Sequence, residues 1–485
     1  MKRISINPIT RLEGHGKIEI FLNESGNVDK AYFQVPELRG FEKFCQGRPA
    51  EEMPQITSRI CGVCPTAHHM ASTKALDDLY GVEPTLAAKL IRELMYSTFM
   101  VEDHYLHFFY LGGPDFIVGP DAPVAERNIL GVISKVGMEI AGNLIKLRRE
   151  CREVLGIIGG KAIHPVCGLP GGVSKGITEE ERKRIIEVAK NAVEFSKFAL
   201  KAFDDIVLKN KSYLDLIVGD IYKHDTYYMG MVDANNKVNF YDGQIRVVDQ
   251  TGKEYAKFKA QDYLKHIEER VEPWTYMKLT YLKKVGWKGF VDGKTSGIYR
   301  VAPLARLNVS DGMATPLAQS EYERMFSALG GKPVHNTLAL HWARLIEAQY
   351  AAERMLELAN TAEIINPDIR AIPTKTPTEG VGVVEAPRGT LIHHFKTDSK
   401  GLLTNVNLIV ATQGNAAAIC MSVEKAAKNL IKNGVVSDGI LNMIEMAFRA
   451  YDPCLSCATH SLGDMPMVVK IKDHEKNVIK EIRRD

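Results

Sequence analysis

Arg59-Ile60-Cys61-Gly62-Val63-Cys64-Pro65-Thr66-Ala67-His68-His69, near the start of the chain, and Asp452-Pro453-Cys454-Leu455-Ser456-Cys457-Ala458-Thr459-His460, near its end, decide how the sequence is read. Each is a C-x-x-C loop, a spacing that presents two thiolates to one metal. In the first, a Gly inside the pair and a Pro after it favour a tight turn. In the second, a carboxylate stands two residues ahead of the pair and a histidine three residues behind it. One use of two such pairs is a structural zinc site, since zinc takes four thiolates readily. Pairs in zinc sites ordinarily lie about 15–20 residues apart. Here almost the whole chain separates them, so a shared metal requires the two ends of the fold to meet. A thioredoxin-like redox role needs a βαβ setting that the surrounding pattern lacks.

Outward from these loops, composition narrows the class. Eight cysteines in 485 residues are too sparse for a disulfide scaffold. Cys45, Cys151, Cys167 and Cys420 read as buried small hydrophobes, the usual fate of a free cysteine. A net charge of +3, from 62 basic and 59 acidic side chains, argues against nucleic acid or a membrane surface as partner. No apolar run is long enough for a transmembrane helix, and the start of the chain turns polar at once. A cytoplasmic protein is the expectation.

Periodicity gives the architecture. Residues 16–36 read as two short strands joined by a turn. Apolar residues at three- and four-residue spacing predict helices over 85–111, 124–158, 179–207, 336–361 and 415–450. Between about 222 and 305, aromatic and β-branched residues punctuated by Asn-Asn, Asp-Gly and Thr-Gly turns predict a β-rich insertion. The fold class expected is mainly α with β elements (α+β): a helical core, an N-terminal β element and that insertion. Residues 1–460 form a single unit, and 461–485 an extension that alternates like a small hairpin.

Further motifs stand in order along the chain: Pro8-Ile9-Thr10-Arg11-Leu12-Glu13-Gly14-His15-Gly16, Arg39-Gly40-Phe41-Glu42, His164-Pro165 with Gly168-Leu169-Pro170-Gly171-Gly172-Val173, and Glu385-Ala386-Pro387-Arg388-Gly389. With the two cysteine loops they make the sequence resemble the large, catalytic subunit of nickel–iron hydrogenases. The resemblance runs from residue 4 to residue 460. Within that family the chain is most similar to the methyl-viologen-reducing type that works with heterodisulfide reductase in methanogens.

The resemblance implies a role for each motif. Cys61 and Cys454 would be terminal nickel ligands. Cys64 and Cys457 would bridge nickel to an iron that carries carbon monoxide and two cyanides, a use that soft thiolates suit. Glu13 would take the proton released when dihydrogen splits. The family's second proton-path carboxylate is replaced here by Ser58. Glu42, His460 and the Leu408 carbonyl would hold magnesium, a sparse protein shell completed by water. Arg388, preceded by Pro387, would hang over the open nickel–iron face, oriented by Asp115 and Asp452. Leu391 would wall off the diatomic ligands, and His68 would donate to a thiolate sulfur. A Pro-Thr-Thr-Trp-Asn-like segment of the family is reduced here to Ala411-Thr412-Gln413-Gly414-Asn415, in which Thr412 remains to donate to a cyanide. His104, His107, His341, His393 and His394 read as packed or surface side chains.

The activity implied is reversible, heterolytic oxidation of dihydrogen. No further cysteine cluster is present to carry electrons away, so iron–sulfur clusters are expected in a small partner subunit, followed by a heterodisulfide reductase complex or ferredoxin. A deazaflavin or NAD(P) acceptor is the alternative within the family. Outside it stand a nickel-less structural zinc protein and a relative of the quinone-site subunit of respiratory complex I, which lacks the cysteine pairs. Family members also lose a C-terminal extension to a maturation protease, which here would cut after His460.

Overall fold

The computed structural model describes residues 2–460, 467–475 and 477–484. The chain begins with β1 (Lys2–Ile6), β2 (Lys17–Leu22) and β3 (Val28–Gln34), an antiparallel sheet in that order. Ile18, Ile20 and Leu22 recur at the two-residue period of a strand and bury one face. The first cysteine loop then leads into α1 (Pro65–Leu79), followed by α2 (Leu86–Leu106), which ends in a wider π-helical turn over His107–Gly112. The helix predicted over 124–158 is two helices, α3 (Ile129–Val136) and α4 (Met138–Gly159). Gly137, at φ 88°, breaks them where few side chains fit. A capping box of Thr178 and Glu181 starts α5 (Glu179–Phe203).

Strands β4 (Tyr227–Val232), β5 (Gln244–Val248) and β6 (Glu254–Phe258) follow, then the antiparallel pair β7 (Ile267–Arg270) and β8 (Leu279–Leu282), and the short β9 (Tyr299–Arg300). One sheet has the order β9-β4-β5-β6, with only β9 and β4 parallel. Helix α6 (Pro303–Val309) returns the chain to the helical core, whose central member is α7 (Leu340–Asn360). Helix α7 packs against α2 and α5 and is buried on nearly every side.

The sequence reading passes over a further sheet: β10 (Glu379–Ala386), β11 (Gly389–Thr397) and β12 (Leu403–Ile409), antiparallel in that order. Its first two strands are buried on both faces, so no polar alternation marks them. Helix α1 lies directly on β10. A Cβ on Gly382 would stand 2.1 Å from the Ala71 carbonyl, and one on Gly380 2.3 Å from that of Ala75. The predicted helix at 415–450 is α8 (Ala411–Leu430) and α9 (Asp438–Arg449), separated at 431–437. Within the extension, β13 (Met467–Lys472) and β14 (Val478–Arg484) pair antiparallel. Residues 461–466, which border the expected cut after His460, lie outside the described residues. No helix among the described residues is long and apolar enough to cross a membrane.

Candidate metal centre

The two ends of the chain meet at the cysteine loops. Cys61 is extended after a short helical turn, and Cys64 precedes Pro65, the first residue of α1. Amides of Val63 and Cys64 donate to the Cys61 sulfur at 3.2 and 3.3 Å. The second loop leaves α9 through Asp452, at φ 57°. It is pinned by the Cys454 amide to Thr412 Oγ1 at 3.0 Å and by the Leu455 amide to the Glu13 carbonyl at 2.9 Å. The sulfurs of Cys61 and Cys454 stand 3.3 Å apart, and those of Cys64 and Cys457 3.4 Å. All four Sγ atoms lie within 4.8 Å of one another, buried and free of disulfides.

Four thiols this close need a cation if they are to ionise together. Hydrogen bonds from Cys454, and then from Cys457 and Cys64, hold the Cys61 thiol well below its ordinary value. Burial pushes Cys454 and Cys457 well above theirs. One thiolate is therefore supported by its neighbours' protons, and a soft metal ion replaces those protons with positive charge. The donor set fits a thiolate-bound metal centre.

Arg388 lies beside this cluster, buried, with ion pairs to Asp452 at 3.0 Å and Asp103 at 3.3 Å. Asp103, on α2, carries no motif that marks it in the sequence. Asp115, expected to orient Arg388, does not reach it. Its carboxylate is bonded to Arg11, to Arg449 at 3.3 Å and to Asn442 at 3.0 Å. The short helix that starts at Pro114 sets Asp115 against Arg11 of the loop after β1 and against Asn442 and Arg449 of α9. Cys64, Cys454, Cys457, Arg388, Leu391 and Thr412 help line a small cavity of about 10 Å³, room for about one small molecule. Pro387 is buried beside it, but its carbonyl faces away, accepting from Arg306 at 3.0 Å.

Glu13 reaches the cluster from the loop after β1. Its Oε2 accepts from the Cys454 sulfur at 2.9 Å and from the Ser456 amide at 3.1 Å. Burial raises its carboxyl above the ordinary range. Ser456 Oγ continues outward to Glu37 at 3.2 Å, and Glu37 contacts the exposed His15.

His68 Nε2 lies 3.4 Å from the Cys457 sulfur, and its Nδ1 lies 3.2 Å from His393 Nε2. His393 Nδ1 meets Ser72 Oγ at 2.8 Å. Burial pushes His68 down to about 4, so it is neutral near pH 7. If His68 donates to the sulfur, then His393 must donate to His68 and Ser72 to His393. The whole chain of donors points at Cys457. His393, expected to be a packing residue, is the middle of that chain.

Glu42, Leu408 and His460 also converge. The Leu408 amide donates to Glu42 Oε1 at 2.8 Å, and the Glu42 amide to the His460 carbonyl at 3.1 Å. His460 is buried with neither ring nitrogen hydrogen-bonded among the described residues, and burial pushes it down to about 3. A neutral imidazole with a free lone pair beside a carboxylate fits a divalent cation. Asp103 and His393 escape a sequence reading because both act across long sequence separations from inside regular elements. The resemblance assigns Asp115 and Asp452 to Arg388; Asp452 pairs with it, and Asp103 stands where Asp115 is expected.

A nickel-dependent hydrogenase family model matches residues 39–128 and 142–460, and a HoxL-like model matches residues 3–38. The chain is 51% identical over 485 residues to an iron-sulfur subunit of the F420-non-reducing hydrogenase of Archaeoglobus profundus, covering 100% of both. It is 39% identical to an F420-non-reducing hydrogenase subunit from Methanothermobacter marburgensis, covering 99% of this chain and 100% of that one. Among solved structures, an NAD+-reducing [NiFe]-hydrogenase in its H2-reduced state superposes with a TM-score of 0.89 at 37% identity, covering 95% of this chain and 100% of that chain.

Proposed function

This chain belongs to the nickel-dependent hydrogenase family, as a catalytic subunit that oxidises dihydrogen, and from that premise we propose how its residues divide the work. Cys61 and Cys454 would hold nickel, and Cys64 and Cys457 would hold nickel and iron together. The observation that carries this reading is the convergence of four free, buried sulfurs from the two ends of the chain. When bound, the nickel–iron group, its iron bearing carbon monoxide and two cyanides, supplies the site at which dihydrogen is polarised and two electrons are accepted.

The chain's own residues do the rest. A proton on the Cys454 sulfur passes to Glu13 Oε2, 2.9 Å away, whose raised affinity for protons suits it to receive one. Arg388 holds a fixed positive charge over the site, balanced by Asp103 and Asp452. Its Nε is buried without a partner among the described residues, a donor available to an anionic diatomic ligand. Leu391 and Thr412 close the cavity against water, and His68 fixes the Cys457 sulfur. Glu42, the Leu408 carbonyl and His460 would hold magnesium, which would tie the end of the second cysteine loop to β12.

Electrons leave through an iron–sulfur partner subunit. The remaining cysteines of this chain are dispersed, and among the described residues no second cluster of cysteines gathers to hold an iron–sulfur centre. Relatives named F420-non-reducing stand at higher identity than the NAD-reducing hydrogenase HoxS subunit beta of Cupriavidus necator, at 37%. Those names weigh against a deazaflavin acceptor, and the proposed route runs to ferredoxin or a heterodisulfide reductase complex in the cytoplasm. The extension beyond His460 is the substrate of a maturation protease.

Serine substitution tests the ligand assignment. Cys61→Ser, Cys64→Ser, Cys454→Ser and Cys457→Ser are each expected to abolish nickel in the purified complex, while Cys45→Ser and Cys151→Ser retain it. Full nickel in any of the first four removes that residue from the ligand set.

A further inference from the structure

Arg306, in α6, is among the largest wholly buried side chains, and every one of its five N–H donors is used. Nε and Nη2 clamp Glu347 of α7 through two bonds of 2.6 Å. Nη1 donates to Glu385 at 2.9 Å and to the Ala386 carbonyl at 2.7 Å, and Nη2 to the Pro387 carbonyl at 3.0 Å. The last two acceptors are decisive. Ala386 pairs with Gly389 across β10 and β11, so Pro387 and Arg388 form a two-residue hairpin tip. Arg306 therefore grips the tip on its entering side. Asn415 of α8 grips the leaving side, donating to the Arg388 carbonyl at 2.8 Å.

The acceptors of Arg306 are anchored in turn. Glu385 Oε1 accepts from the Met231 amide in β4 and from Thr390 Oγ1, both at 2.7 Å. Glu347 Oε2 also accepts from His104 at 3.0 Å, and His104 adjoins Asp103, the ion-pair partner of Arg388. Burial pushes Glu347 up, but the Arg306 charge outweighs it and holds the carboxyl below its ordinary range. A lysine could not reproduce this grip: it offers three donors on a point charge, with no planar fork for Glu347 and no reach to both carbonyls.

We propose that Arg306 is a positioning residue for the hydrogenase reaction, setting the Pro387–Arg388 hairpin tip so that the Arg388 guanidinium stays over the thiolate cluster. It touches no sulfur and acts only through Arg388. The inference rests on the proposed place of Arg388 in the reaction.

The test is a double-substitution cycle on the purified complex, with Arg306→Lys, Arg388→Lys and the pair. Dihydrogen-dependent dye reduction, nickel content and amide hydrogen exchange over 385–390 are read for each. Arg306→Lys is expected to keep its nickel, exchange faster at the tip but not along α7, and lose about tenfold in turnover. In the Arg388→Lys background the same change is expected to cost less than about twofold. Equal losses in both backgrounds, or wild-type exchange at the tip, would overturn the proposal. Where Arg306→Lys fails to hold nickel, Glu347→Gln takes its place, because it loosens the grip without changing shape. Faster exchange confined to the tip is again the expected result, and unchanged exchange overturns the idea. Because exchange is read without turnover, a wrong role for Arg388 and a wrong role for Arg306 fail separately.

Discussion

At the scale of single residues, the site is a problem of proton ownership. Burial keeps protons on the Cys454 and Cys457 thiols that a metal ion would displace, and Glu13 is the one carboxylate hydrogen-bonded to a cysteine sulfur among the described residues. Glu13→Gln keeps the shape and the Ser456 contact but cannot carry a proton onward. Turnover is expected to fall by about 100-fold or more, the scale of general acid–base assistance, with nickel content unchanged. Dye reduction beside elemental analysis checks it, and wild-type turnover would remove Glu13 from the proton route. The cysteines, Glu13 and Arg388 were legible because each sits in a short contiguous motif. Asp103 was not, since its link to Arg388 joins the middle of one helix to a hairpin tip far along the chain. Asp115 was misplaced because its turn is conspicuous locally, while its partners, Arg11 and Arg449, are remote.

At the scale of elements, the site depends on how closely α1 lies on β10. Helix α1 carries the first cysteine loop at its start and His68 one turn in, and β10 leads to the Arg388 tip. Gly380 and Gly382 permit the contact, having no Cβ to meet the helix backbone. Gly382→Ala would place a methyl 2.1 Å from the Ala71 carbonyl, so the helix must lift. A loss of about 3 kcal/mol is expected, the upper range for overpacking. The urea midpoint of the purified chain should fall and nickel retention with it; an unchanged midpoint would show that the sheet can shift aside. This sheet is also where sequence periodicity failed. Helices α2, α5 and α7 are long enough for the three- and four-residue rhythm to show. Strands β10 and β11 are buried on both faces along nearly their whole length, so no alternation is displayed. The break at Gly137 is a single-position event and the one at 431–437 only seven residues long, so a smoothed pattern runs across both.

At the scale of the whole molecule, the fold brings its first and last motifs into one buried cluster and holds neutral imidazoles in its interior. Burial pushes His69 and His104 down to about 4 and His341 to about 3. Unfolded, each would titrate near about 6.5. Between these values the unfolded chain binds protons that the folded chain does not. Stability is therefore complete above about pH 6.5 and is lost as pH falls toward 4, with a slope of up to about 1.4 kcal/mol per pH unit for each group. Denaturant midpoints at pH 7 and pH 5 should differ markedly; equal midpoints would mean that these rings protonate in place. That the two ends must meet could be inferred from the cysteine spacing alone. The path between them could not, because it is fixed by packing of α7 against α2 and α5 rather than by any local signal.

The most direct measurement is metal analysis of the purified complex together with its infrared spectrum between the amide and C–H bands. Nickel and iron bound to this chain, with sharp cyanide and carbonyl stretches that vanish in Cys457→Ser, are the expected result. Zinc alone, with that window empty, would contradict it and leave four cysteines holding a structural ion.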